Sequence, residues 1–333
     1  MSNSLSQFQF LSPLISGAIT FVLIRWMLQH PRAKLVLDHP NPRSMHETPM
    51  PRTGGIAVMF GIVAGAAMLL PRFDPSLPLA IVLALVSFAD DRRGLSVAAR
   101  MLAHFAAAIA FVAIVLPGLP VAAAIAFVFA VVWMTNLYNF MDGSDGLAGG
   151  MAAIGFGAYA FAAYLQGGVF FALMCASIAA AAVAFLFFNF HPAKIFLGDA
   201  GSIPLGFLAA GLGLSGWQKG LWPLWFPPLV FSPFIIDASV TLASRLARGE
   251  RVWEAHHGHY YQRLVRMGWG HRKTAVAEYA VMLAAAASGI WALDQPKETQ
   301  WTTLVAWCFV YFAVFAAIDY RWRRFEASGK QII

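Results

Sequence analysis

The chain has 333 residues, 59% hydrophobic and only 12% charged, against roughly 45–50% and about 25% in a soluble domain. This excludes a soluble globular protein and sets the fold class as all-α, a polytopic membrane helical bundle forming a single integral-membrane domain over 1–333. The net charge of +7 lies in loops between apolar runs, so no nucleic-acid partner is expected. The two cysteines, Cys175 and Cys308, both fall in apolar runs and exclude a disulfide framework or zinc site.

A membrane-crossing helix needs about 20 apolar residues. The hydropathy predicts eleven: 9–29, 54–71, 76–89, 98–116, 119–139, 147–166, 169–190, 201–217, 222–245, 274–293 and 301–320. With the N-terminus outside and the C-terminus inside, 20 of the 23 Lys and Arg fall on the inner side, the bias that orients bacterial membrane proteins. Five loops then share that side and form one polar face: 30–53, 90–97, 140–146, 191–200 and 246–273.

The stretches that carry chemistry all lie on this face. MHETPMPRTGG (45–55) brings Arg52 to the start of the second span; a phosphate-contacting loop and a plain connector fit it equally. VSFADDRRGLS (86–96) ends an apolar helix on Asp90 and Asp91. Carboxylates are disfavoured at a helix C-terminus by the dipole, so an adjacent pair there points to a metal or a proton to accept. A solvated helix end balanced by Arg92 and Arg93 is the plain alternative.

In NLYNFMDGSDGLAGG (136–150), Asn136, Asn139, Asp142 and Asp145 recur every three residues. Their hard oxygens suit Mg²⁺ or a nucleoside, and Gly143 and Gly146 break the helix and admit backbone close to a ligand. In KIFLGDAGSIPLG (194–206), Asp199 opens a helix, where N–H groups favour anions; simple capping by Asp199 or Ser202 is the alternative. Asp237 is an acid inside the ninth span, a functional suspect by default, with helix packing as the other reading. EAHHGHYYQRLVRMGWGHRK (254–273) joins four histidines to a run of Arg and Lys. It lacks zinc-ligand spacing and fits a cationic cradle for phosphates; a basic patch for anionic lipid is the alternative.

Mg²⁺-type oxygens, phosphate-binding cations and a shallow position on one membrane face together fit phosphoryl transfer between two anions, one soluble and one lipid. Transporters place their acids near the membrane midplane instead. The D-x-x-D-G-x-x-A-R pattern of CDP-alcohol phosphotransferases is missing, and a lipid-binding scaffold needs no such set of motifs.

The order DD, NxxNxxDGxDGLA, GDxGS and a basic histidine loop, over roughly Arg43 to Lys273, resembles the polyprenyl-phosphate N-acetylhexosamine-1-phosphate transferase family. Its H-x-x-H-x-x-Q-R-L histidine loop is closest to the WbpL-type O-antigen-initiating branch. The resemblance implies transfer of a sugar 1-phosphate from a UDP-sugar to undecaprenyl phosphate with release of UMP. It implies Mg²⁺, with Mn²⁺ as a substitute, in a bacterial inner membrane among membrane lipids, with homodimerisation left open. It implies catalytic roles for Asp90, Asp91 and Asp199, and metal ligation by Asp199 and Asn139. Substrate contacts are implied for Asn136, Asp142, Asp145, His256, His259, Arg263 and Arg52.

Overall fold

The computed structural model describes residues 7–30, 37–38, 50–251 and 257–328. A short 3₁₀ turn, Gln7–Leu11, leads into α1 (Ser12–Gln29). A two-residue antiparallel pair, β1 (Leu37–Asp38) with β2 (Met50–Pro51), precedes α2 (Gly54–Ala67). Then follow α3 (Ser76–Arg93), α4 (Val97–Val115), α5 (Val121–Phe140), α6 (Leu147–Leu165), α7 (Val169–Asn189) and α8 (Asp199–Gln218). The chain finishes with α9 (Phe226–Val230), α10 (Ser232–Ala247), α11 (Tyr260–Leu264), a π-type turn (Val265–Trp269), α12 (Gly270–Ala292) and α13 (Lys297–Ala327).

Each of the eleven apolar runs meets a helix. Among the described residues, eight helical stretches are long and apolar enough to cross a membrane. The three others fall short for separate reasons. α2 has 14 residues, and α3 closes on Asp90, Asp91, Arg92 and Arg93. The run 222–245, expected as one helix, is broken at Phe231 between α9 and α10. Pro227, Pro228 and Pro233 explain that break, because proline lacks the N–H a continuous helix needs and clashes with the preceding turn. The protein is a multi-pass membrane protein.

α8 is the axis of the bundle. It packs against α2, α3, α5 and α6 and is buried along nearly its whole length, whereas α13 is largely exposed at the periphery. Lipid tails supply no hydrophobic drive between helices, so small residues that permit close backbone approach decide such packing. At the foot of α8 a Cβ on Gly55 would fall 2.3 Å from the Gly201 nitrogen, so α2 and α8 touch backbone to backbone. The contact is tied by Gly54 N–H to Phe196 O (3.0 Å) and Gly55 N–H to Leu197 O (2.8 Å).

Gly55→Ala is therefore expected to cost about 1–3 kcal/mol as overpacking and to lower the melting temperature of detergent-solubilised protein. Gly157→Ala, where a Cβ meets nothing within 4 Å, is expected to leave it unchanged or raise it slightly. Equal melting temperatures for the two variants would refute this packing account.

Candidate active site

The α2–α8 contact brings two functional side chains together. Arg52, just ahead of α2, reaches Asp199 at 3.3 Å. Asp199 is the first residue of α8, after Gly198 in a left-handed conformation (φ 72°). A Cβ on Gly198 would lie 2.6 Å from the Arg52 carbonyl oxygen, so glycine allows both the turn and the approach.

Asp91 and Asp142 face the same place. Burial first, then the Asp199 and Asp90 carboxylates, push the Asp91 carboxyl up to about 6, while Arg52 and the Ala200 N–H pull it down. Asp142, beyond the end of α5, is raised well above the usual carboxylate range by burial and by Asp199, with Arg52 opposing. Asn139 sits beside them, its Oδ1 accepting from the Ser202 hydroxyl at 2.7 Å. Three carboxylates from three chain segments thus converge on Arg52, and their mutual repulsion is only partly offset.

The other predicted residues stand around this centre. Asp90 is drawn aside: its carboxylate accepts from Arg100 at 3.3 Å and from the Leu95 N–H, closing the α3–α4 turn. Asp145 accepts from His191 Nδ1 (2.7 Å) and from the Ala193 N–H (3.1 Å). Asn136 turns back to its own helix, donating to Val132 O at 2.7 Å. It also meets His104 of α4, one turn below Arg100. Arg263 donates to Asp319 at 2.6 Å and to Gly258 O at 2.9 Å, its guanidinium 4.7 Å over the Tyr260 ring.

His259 is buried and hydrogen-bonded to Asp237 (3.2 Å). His271 meets the Ser144 hydroxyl at 2.8 Å and stacks on His191. His256 lies outside the described residues. The histidines that the sequence groups together therefore separate into different contacts.

Gly143 and Gly146 were expected to admit a ligand. In the structure they admit aromatic hydroxyls. A Cβ on Gly143 would meet the Tyr261 hydroxyl, and Gly146, at φ 77°, accepts from the Tyr279 hydroxyl through its carbonyl at 2.6 Å. Asn189 completes this brace, accepting from Gly146 N–H and donating to Ile195 O. Sequence reasoning missed Asn189, His191, Tyr279 and His104. The polar run N-F-H at 189–191 closing an apolar span was a usable signal for the first two.

A model of glycosyl transferase family 4 matches residues 76–216, from the start of α3 almost to the end of α8. The chain is also similar to curated proteins over most of its length. A probable undecaprenyl-phosphate N-acetylglucosaminyl 1-phosphate transferase of Bacillus subtilis (strain 168) is 29% identical over 287 residues, 80% of each chain. A phospho-N-acetylmuramoyl-pentapeptide-transferase of Staphylococcus saprophyticus is 29% identical over 319 residues, 85% of this chain and 98% of its own. One from Staphylococcus aureus (strain MSSA476) is 28% identical over the same length.

The geometry separates the adjacent aspartates. Asp90→Asn replaces the oxygen that pairs with Arg100 by an amide N–H and leaves only a neutral acceptor for the Leu95 N–H; it is expected to lower the melting temperature, by about 1–3 kcal/mol in stability. With divalent metal chelated, Asp91→Asn is expected to keep or raise it. A carboxyl whose folded pKa is raised loses stability as pH climbs through the folded value. The gain of Asp91→Asn over wild type should thus be present at pH 8 and shrink toward pH 5. Two variants that melt alike at every pH would remove the distinction.

Proposed function

We propose that this protein transfers a sugar 1-phosphate, of the N-acetylhexosamine type, from a UDP-sugar to undecaprenyl phosphate, releasing UMP. The observation that carries this is the convergence of Asp91, Asp142 and Asp199 on Arg52 at the foot of α8. An acid-rich centre with a phosphate-binding cation suits two phosphate substrates and a divalent ion between them. Ten and more residues along α8 from Asp199, α5, α8, α9 and α10 line an apolar cavity of about 340 Å³, with Leu137, Ala210, Pro228 and Ile235 among its walls. That cavity suits the prenyl chain of the acceptor.

In the reaction an oxygen of the lipid phosphate attacks the β-phosphorus of the UDP-sugar. The bond from that phosphorus to the bridging oxygen breaks, UMP leaves with the bridging oxygen, and the lipid keeps a pyrophosphate-linked sugar. Asp91, with its elevated carboxyl, is placed to orient the lipid phosphate or take its proton. Asp90 supports it by fixing the turn. Arg52 meets donor phosphate, and Asp142, Asp145 and Asn136 frame the nucleotide side. His256, His259 and Arg263 serve the loop that faces the pyrophosphate.

Among the described residues, no three His, Cys, Asp or Glu side chains could hold a metal ion by themselves. This suits Mg²⁺ (or Mn²⁺), which usually takes one or two carboxylates plus waters and substrate phosphates. The residues present fit such an ion, with Asp199 and Asn139 as its holders. When bound it supplies neutralisation of the pyrophosphate charge. The site faces the cytoplasm of a bacterial inner membrane in this reading, and the product starts O-antigen or another surface glycan.

A second donor deserves a place because the staphylococcal relatives are pentapeptide transferases matched over 98% of their length. The test is UMP release by purified protein in detergent, with undecaprenyl phosphate and Mg²⁺. The donors would be UDP-N-acetylglucosamine, UDP-N-acetylgalactosamine, their 6-deoxy analogues and UDP-N-acetylmuramoyl-pentapeptide. UMP is expected with an N-acetylhexosamine donor, dependent on the lipid and lost on chelation. Asp199→Asn and Asp91→Asn should each cost at least about a hundredfold in turnover. Release with the pentapeptide donor alone would select the second reading, and folded protein that releases no UMP with any donor would overturn both.

A further inference from the structure

Asp237 is a buried acid that the reaction centre does not use. It lies on α10, is 3% exposed, and has an unusually full set of donors. Its Oδ1 accepts from the Tyr260 N–H (3.0 Å), the Thr241 hydroxyl (3.1 Å) and His259 Nδ1 (3.2 Å). Its Oδ2 accepts from the Tyr261 N–H (3.0 Å). A carboxylate buried without donors would be prohibitive, and four donors make the arrangement stable and specific. Three of the four come from residues 259–261, so the start of α11 is fastened to α10 through this one side chain. Accepting from Nδ1 also fixes the tautomer and plane of His259.

The opposite side of α10 meets a different partner. Successive residues turn by 100° on a helix, so Ile235 and Ser239 share one side while Asp237 and Thr241 share the other. Ile235 lines the apolar cavity, and Ser239 accepts from the Trp133 indole N–H of α5 at 3.1 Å. α10 is itself separated from α9 at Phe231, so no continuous helix ties it to the outer end of the bundle. One short helix therefore has the prenyl-binding cavity on one side and the histidine loop on the other.

We propose that Asp237 is a positioning residue that couples the two substrates. By holding His259 and the first residues of α11 to α10, it makes the setting of the donor-side loop depend on how the acceptor's prenyl chain seats against α10. This rests on the transferase reading above and adds to it a defined link between the acceptor cavity and the donor loop.

The test is steady-state UMP release by wild type and Asp237→Asn. The UDP-sugar KM would be measured with two acceptors, farnesyl phosphate and undecaprenyl phosphate. In the wild type the longer chain, which extends further along the α10 wall than a farnesyl chain can reach, is expected to lower the donor KM several-fold. An asparagine amide would turn an N–H donor toward a backbone N–H that now finds an acceptor. The variant is therefore expected to raise the donor KM by roughly tenfold, with a smaller change in kcat, and to erase its dependence on acceptor length. A general loss of packing would instead lower the amount of active enzyme and leave the KM values and their ratio alone.

Should Asp237→Asn fail to fold, Thr241→Val removes one donor only, and Trp133→Phe cuts the link on the α5 side. Each is expected to weaken the dependence on acceptor length. A wild-type donor KM indifferent to acceptor length, or a variant that keeps the wild-type dependence, overturns the coupling while the transferase reading stands. Absence of UMP from the wild type with every donor overturns the transferase reading and the coupling together.

Discussion

Negative charge crowded at the foot of α8 is the constraint on which the rest of this structure depends. Asp91 and Asp142 would move away from Asp199 if their supports were flexible, because its carboxylate raises the cost of ionising each of them. Rigid backbone contacts keep them together. Gly55 against Gly201, and the bonds from residues 54 and 55 to 196 and 197, leave the Arg52 and Asp199 segments little freedom to move apart. The burial of α8 among its neighbours serves the same end, since a helix packed on nearly every side cannot tilt to relieve repulsion at its tip. Electrostatic strain held by a stiff frame is a common property of sites prepared for charged substrates.

The acidic motifs divide this labour in a regular way. In Asp90/Asp91 and in Asp142/Asp145, one acid of each pair is bound by a backbone N–H and a cationic or imidazole side chain, and the other faces the centre. Asp90 closes the α3–α4 turn with Leu95 and Arg100. Asp145 ties the 141–146 loop to His191 and Ala193. The partner acids, Asp91 and Asp142, carry the raised carboxyls. Neighbouring charges that look redundant in the sequence take different settings, one anchored by hydrogen bonds and the other turned to the centre.

Much of this was legible because membrane helices announce themselves by length and apolarity. All eleven runs meet helices, and the opening of α8 at Asp199 follows from Gly198 and the motif alone. The break at Phe231 was hidden because Pro227, Pro228 and Pro233 are also compatible with helix starts, and hydropathy does not register a missing N–H. The partners of the acids were hidden for a different reason. Asp145 and His191 are 46 residues apart, Arg263 and Asp319 are 56, and Ser144 and His271 are 127. No local pattern encodes such pairings. The histidine loop adds a further case, since neighbours along the chain take different partners, although His259 stacks on Phe140 and His271 meets Ser144 at the same 140–146 segment. His259 precedes a short helix facing α10, and His271 begins α12 facing the 141–146 loop.

The break in the ninth span also bears on how the site is divided. In lipid an open backbone group must be covered by protein, and Phe226, Phe231 and Phe234 are all buried around this one. Ser232 accordingly donates to Leu229 O or shares its hydroxyl with Tyr311. A joint maintained with that much packing divides the active-site wall in two. The acids sit on α3, on α8 and just past α5, whose backbones are locked by close contacts. The cavity wall of α10 and the loop fastened to it by Asp237 form the other part, joined to the bundle through fewer contacts. The converging acids thus belong to the rigid part, and in the proposed reaction the groups that accommodate a long lipid and a nucleotide belong to the part with a joint.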